Sequence, residues 1–235
     1  MTKMRFIKFF ILKKFKNTLN KIIKIMENSE FFNMARKDNS LRQDYLDTIL
    51  NLCPISVSEL VYDPDFEKAK RSIEDVNNKL SEYGNYKSST QGVPSCYFLV
   101  LTPPYLFARN EQSKVFVFGS AFQKFGIEEL FTNALTNHEG MHATDQMNGI
   151  KLEEGLEINS EGIFLLSAKT MRQVMEIRAY NNELKMARQK RINNQMYLDY
   201  TGLCRDLEKD IIKSIEPKNN FERKVINFSL LYGHE

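Results

Sequence analysis

Apolar positions along most of the chain recur every three or four residues, which is the spacing of amphipathic helices. Together with capping residues, glycines and prolines, this spacing predicts helices over residues 41–53, 65–83, 127–147, from 159 or 160 to 191, 194–215 and 221–232. Two runs differ, 96–101 (CYFLVL) and 115–118 (VFVF), and their aromatic and branched residues predict strands joined by a long hairpin loop. We therefore predict an α+β fold, mostly helical, with a small β-sheet before the helix over 127–147.

The first 26 residues form a separate pattern. They contain eight Lys or Arg and no acidic residue, and their apolar residues recur at helical spacing: Ile7, Ile11, Phe15, Leu19, Ile22 and Met26. We predict a basic amphipathic helical segment over 1–30 and one domain over 31–235. The segment lacks both the unbroken apolar stretch of a secretory signal and the roughly 20 apolar residues of a membrane span. Two interpretations stay open: it contacts a membrane surface or a partner, or it packs on the domain with its lysines solvated.

Charge and cysteine content restrict the function further. Outside the first 26 residues there are 25 basic and 30 acidic side chains, a balance that gives no indication of nucleic-acid binding. Cys53, Cys96 and Cys204 are odd in number, far apart and without C-x-x-C spacing, which favours a reducing compartment. We expect a cytoplasmic protein, associated with a membrane if the basic segment binds one.

The candidate chemistry lies in the helix over 127–147, in the sequence His138-Glu139-Gly140-Met141-His142. Two histidines four residues apart on a helix project from one face, and Zn²⁺ binds neutral imidazole nitrogens with nearly tetrahedral geometry. This H-E-x-x-H pattern resembles that of the zincin superfamily of zinc metallopeptidases. The alternative is a surface helix with two incidental histidines.

The resemblance implies a third protein ligand. The metzincin variant fails, because Asp145 and Asn148 occupy the positions of its glycine and its last ligand. Gluzincins take a glutamate from a later helix, and Glu176 with Ala179 forms an E-x-x-A pair similar to that of minigluzincins. Glu176 is therefore the predicted ligand. The rival candidates are Glu153, Glu154, Glu157, Glu161, Glu183 and His234.

The same resemblance implies roles for further residues. Glu139 would act as general base, and Tyr180 would donate a hydrogen bond to the oxyanion or simply pack. Thermolysin-like enzymes carry an aspartate at the position of Tyr180 that supports the first histidine, and Asp145 is the substitute predicted here. Gly119 and Ser120, at the end of the second strand, would admit an extended substrate by β-addition.

These residues predict a zinc-dependent enzyme that hydrolyses bonds in a peptide or protein substrate. Two other hypotheses remain open. One is a zincin-fold protein that binds zinc without cleaving and acts through a partner. The other is a helical interaction module in which the pentapeptide is accidental. The sequence predicts no oligomeric state.

Overall fold

A computed structural model describes residues 28–81, 97–101, 112–153, 155–159 and 162–231. The amphipathic helix predicted over 1–26 lies outside the described residues, as does the loop between the two predicted strands. Within the described ranges, no helix has both the length and the apolar character needed to cross a bilayer.

Helices make up most of the described chain, in agreement with the predicted fold class. Their bounds, in chain order, are α1 over 28–37, α2 Arg42–Ile49, α3 Glu67–Ser81, α4 Gly119–Lys124, α5 Glu128–Asn133, α6 Gly140–Asn148, α7 Ala168–Gln189, α8 Gln195–Lys213 and α9 Asn220–Leu231. A π-helical segment, Ala134–Glu139, joins α5 to α6, so one continuous helix runs from Glu128 to Asn148. The helix predicted over 127–147 is confirmed.

Capping explains where the helices begin. Asn194 caps α8 by accepting a hydrogen bond from the Tyr197 N–H at 3.0 Å, so the predicted start of that helix is right. The predicted start of α7 at 159 or 160 is wrong, because Ser167 caps it and a 3₁₀ turn, Gly162–Leu165, precedes it. Asp38 caps the 3₁₀ turn Asn39–Leu41 that precedes α2, accepting a hydrogen bond from the Ser40 N–H at 2.9 Å.

The main sheet has three strands in the order β1-β3-β2. The predicted pair is confirmed as the antiparallel strands β2, Phe98–Leu101, and β3, Ser113–Phe118. The sequence analysis missed β1, Val57–Asp63, which pairs with β3 in parallel. Gln43 of α2 covers the outer edge of β1, donating to Leu60 O and accepting from Tyr62 N–H.

The residues that follow α6 form a second, two-stranded sheet, where the sequence analysis predicted no strands. Strands β4, Ile150–Glu153, and β5, Leu156–Ile158, pair antiparallel. Gly155 lies in the turn between them with φ of 78°, a conformation that glycine adopts without strain.

The two largest clusters of buried apolar residues are called here the first and the second core. The first packs the main sheet against α1, α2 and α4, around the rings of Phe32, Tyr45, Phe122 and Phe131. The second packs β4 and β5 against α7, α8 and α9 and includes Ile158, Ile177, Ile212 and Val225. The first core thus includes residues of the helix from Glu128 to Asn148, and the second includes residues of α7.

Candidate metal centre

Helix α7 runs antiparallel to the continuous helix from Glu128 to Asn148. Asn133 Nδ2 donates to the Glu183 carbonyl at 3.2 Å, and Asn182 Nδ2 donates to the Asn137 carbonyl at 2.8 Å. Further along, Arg178 contacts Asp145. This antiparallel arrangement brings Glu176 opposite the two histidines.

The histidines sit where the helix changes its winding. His138 lies in the π-helical segment and His142 in the first turn of α6. Short π segments inside α-helices are frequent at functional sites. Both side chains are buried, and their ring centroids are 5.0 Å apart.

The two imidazoles and one carboxylate converge on a small volume. The Nε2 atoms of His138 and His142 lie 3.5 Å and 3.6 Å from the same oxygen of Glu176. One ligand atom from each of the three residues lies within 4.8 Å of the others. Among the described residues, this is the group whose donors could hold a metal ion. The structure thus places the predicted ligand Glu176 together with His138 and His142.

The rival ligands that lie within the described residues are not part of this group. Glu153 and Glu157 lie on β4 and β5 with exposed side chains. Glu154, Glu161 and His234 lie outside the described residues. Glu183 reaches His138 from the other side, as a partner of Nδ1 rather than of Nε2.

Glu183 orients His138, a role that the sequence analysis gave to Asp145. Its Oε2 lies 3.0 Å from His138 Nδ1, and its Oε1 accepts a short hydrogen bond from the Tyr197 hydroxyl. Asn133 Nδ2 donates to that hydroxyl at 3.1 Å. Glu183 follows Glu176 by seven residues, or two helical turns, so its position on the same face was a signal available in the sequence.

Asp145 instead forms a buried ion pair with Arg178. Its two oxygens accept from Arg178 Nε at 2.9 Å and from Nη2 at 3.0 Å, in bidentate geometry. Burial raises the pKa of Asp145, while Arg178 and, more weakly, His142 oppose that rise. The pair fastens α6 to α7 three residues after His142 and two residues after Glu176.

The electrostatics of the centre follow from burial and close opposite charges. Burial lowers the pKa of His138, but Glu176 and Glu183 outweigh that effect and raise it well above its ordinary value. For Glu176, burial raises the pKa, but contacts with the two histidines bring it far below the usual range. Glu176 and His138 thus each favour the charged form of the other. A cation bound between them would likewise favour the charged form of Glu176.

Glu139 and Tyr180 border the same group. Burial raises the pKa of the Glu139 carboxyl, and the two histidines oppose this rise. The Tyr180 ring lies edge-on to His138, with centroids 4.4 Å apart. Burial, followed by the charge of Glu176, raises the pKa of Tyr180, so its hydroxyl stays protonated and can donate a hydrogen bond.

Gly119 and Ser120 are not at a free strand edge, which contradicts the basis of their predicted role. β3 is the central strand and is paired on both sides, so no substrate can add to it. Both residues begin α4, and a side chain at Gly119 would meet Arg42 Nη1 at 3.2 Å. The absence of a side chain there serves the packing of Arg42.

No family model, curated protein or solved structure matches the chain. The function is therefore inferred from the geometry of His138, His142, Glu176 and the residues around them.

Proposed function

We propose that this protein is a zinc-dependent hydrolase of peptide bonds. The observation that carries the proposal is the convergence of His138 Nε2, His142 Nε2 and a Glu176 oxygen within 4.8 Å of one another. Two neutral imidazoles and one carboxylate are the ligand set of several catalytic zinc sites, which keep a further position open.

The surroundings of His138 support zinc as the ion. A histidine that binds a metal through one ring nitrogen almost always donates its other N–H to a carboxylate, carbonyl or water. Glu183 lies 3.0 Å from His138 Nδ1, which leaves Nε2 facing Glu176. When bound there, zinc lowers the pKa of a water molecule toward about 7 and polarises a carbonyl group.

The proposed roles of the other side chains follow from their positions. Glu139 directly follows His138, and its carboxylate takes a proton from the attacking water and delivers it to the nitrogen of the leaving amine. Water thereby adds to the carbonyl carbon as the C–N bond breaks. The protonated Tyr180 hydroxyl donates a hydrogen bond to the developing oxyanion.

A peptide substrate that binds as an added strand requires an exposed strand edge of the protein beside the centre. The Gln43 side chain occupies the outer edge of β1, whereas β2 lies against the π-helical segment and pairs only with β3 among the described strands. The outer edge of β2 replaces Gly119 and Ser120 as the proposed place for strand addition.

The decisive experiment measures bound zinc and peptide hydrolysis side by side. We expect one zinc per wild-type chain, and loss of that zinc under mild chelation in Glu176→Ala. The matched control, Glu157→Ala, removes an exposed glutamate of β5 and should keep its zinc. Full zinc retention by Glu176→Ala would overturn the ligand assignment.

Glu139→Gln separates an enzyme from a protein that only binds zinc. This variant should keep zinc and lose hydrolysis of a mixed peptide library by at least about 100-fold, the usual contribution of a general base. If the wild type binds zinc but cleaves no more of the library than Glu139→Gln does, the hydrolase proposal fails and zinc binding alone remains.

A further inference from the structure

The outward face of α8 carries a stripe of large apolar side chains. Met196, Tyr200, Leu203 and Leu207 are spaced by four, three and four residues, so they line up along one side of the helix. Their exposed fractions are 82%, 50%, 70% and 59%. The other side of α8 is buried, through Tyr197, Thr201 and Ile212. We call the exposed set the α8 stripe.

A row of acidic side chains follows one border of the α8 stripe. Asp199, Asp206 and Asp210 recur at helical spacing beside it, and all three are exposed. Each has a neighbour on the same helix: Gln195 donates to Asp199, and Arg205 and Lys213 form ion pairs with Asp206 and Asp210. Because exposed ion pairs contribute little to stability, these aspartates can pair with other cations at a small cost in free energy.

The α8 stripe therefore fits a helix that has an apolar face bordered by cations. Residues 1–26 of this chain have that chemistry, with six apolar residues at helical spacing, eight Lys or Arg and no acid. A second copy of α8 would instead add three more aspartates to the same interface. We infer that residues 1–26 bind the α8 stripe of their own molecule.

The point at which this segment joins the described structure is compatible with that contact. Phe32 of α1 contacts Phe131 of α5, with ring centroids 5.1 Å apart. The preceding residue, Leu130, packs in one cluster with Tyr197 in the first turn of α8. Helices α1 and α8 are thus both in contact with α5. A helix of 26 residues spans about 39 Å, more than the roughly 17 Å from Met196 to Leu207.

Photocrosslinking in the full-length protein tests the contact directly. Benzoylphenylalanine replaces Leu203 on the α8 stripe, and in the control it replaces Leu231 of α9, which is exposed to a similar fraction of 69%. Mass spectrometry then identifies the linked peptides. We expect position 203 to crosslink to peptides from residues 1–26 within the monomer, and position 231 not to.

Charge reversal tests the acidic row. Asp206→Lys with Asp210→Lys should lower the crosslink yield from position 203 by about tenfold, since two attractions become repulsions. Asp44→Lys with Glu67→Lys makes the same change in net charge at exposed positions of α2 and α3 and should leave the yield unchanged.

Three outcomes would overturn the inference. Crosslinks from 203 to α8 in a dimer would identify a second copy as the occupant, and crosslinks to added anionic vesicles would identify a membrane. Equal yields from positions 203 and 231 would mean that nothing specific covers the stripe. None of these outcomes depends on zinc binding, so the proposed hydrolase is judged separately.

Discussion

Tyr197 supports the candidate metal centre without being one of its three ligands. Its hydroxyl donates to Glu183 Oε1, and the other oxygen of Glu183 lies 3.0 Å from His138 Nδ1. All three side chains are buried. Because a buried carboxylate is costly unless hydrogen-bonded, Tyr197 keeps Glu183 in place, and Glu183 keeps the His138 ring in place.

We predict that Tyr197→Phe weakens zinc binding by about 10- to 100-fold, the usual effect of losing a residue that orients a metal ligand. Competition with a chromophoric chelator measures the affinity. Tyr200→Phe is the control, since it removes a hydroxyl from the exposed side of the same helix. Equal zinc affinity in wild type and Tyr197→Phe would show that Glu183 needs no support from α8.

The residues of the centre were predictable to different degrees. The spacing of His138 and His142 gives their shared helical face directly, and the E-x-x-A pair singled out Glu176 among seven candidates. The sequence suggests Glu183 only as a ligand, because a sequence does not reveal which ring nitrogen of His138 a carboxylate contacts. The ion pair of Arg178 with Asp145, which keeps Asp145 from orienting an imidazole, could not be predicted. It depends on how α6 and α7 are rotated about their axes.

At the scale of elements, Gly140 lets the histidine-bearing helix lie directly on the segment before β1. A Cβ at this position would lie 2.7 Å from both Cδ and Cγ of Pro54, closer than side-chain contacts allow. The ring of Pro54 cannot rotate away as a flexible side chain can, so any larger residue must displace the helix or the chain at Pro54.

We predict that Gly140→Ala lowers the free energy of unfolding by about 1–3 kcal/mol, the usual cost of overpacking. This holds although alanine by itself favours a helix by about 1 kcal/mol over glycine. Gly202→Ala in α8 is the matched control, because a Cβ there meets nothing within 4 Å, and it should stabilise the protein slightly. Denaturant unfolding of both variants measures the difference. A stabilised Gly140→Ala would show that the chain at Pro54 moves freely.

The strands that were not predicted from the sequence escaped prediction for physical reasons. In β1 the burial pattern is irregular, with Ser58 and Glu59 exposed in succession at a register shift. Its partners in β3 lie 55 or 56 residues further along the chain. Strands β4 and β5 do alternate, with Ile150 and Leu152 buried and Lys151 and Glu153 exposed. There the alternation is visible in the sequence, although the sequence analysis predicted no strand over these residues.

For the whole molecule, the centre joins two halves, which are defined here by the first and the second core. His138 and His142 lie on a helix that contributes to the first core, whereas Glu176 lies on α7, which belongs to the second. Metal affinity therefore depends on the stability of both halves. In the second half, Glu222 of α9 holds the start of α7, accepting from the Ser167 N–H at 2.8 Å and the Thr170 hydroxyl at 2.5 Å.

Glu222 makes the second half sensitive to acid. Burial raises its pKa, but hydrogen bonds from Thr170 and from the backbone of Lys218 and Ser167 outweigh burial and lower it to about 2. The pKa of an unfolded glutamate is about 4.3. Because the folded value is lower, the carboxylate stabilises the fold above about pH 4.3, and this contribution is lost as the pH falls toward 2.

We predict that Glu222→Gln unfolds more readily than wild type at pH 7, and that the difference shrinks as the pH falls from about 4.3 to 2, because wild type loses the same contribution there. Thermal unfolding followed by circular dichroism across this range measures both. Glu216→Gln, an exposed glutamate before α9, controls for the loss of one carboxylate. If the stability difference between Glu222→Gln and wild type were the same at pH 7 and pH 2, the charged form of Glu222 would not be what holds α9 to the start of α7.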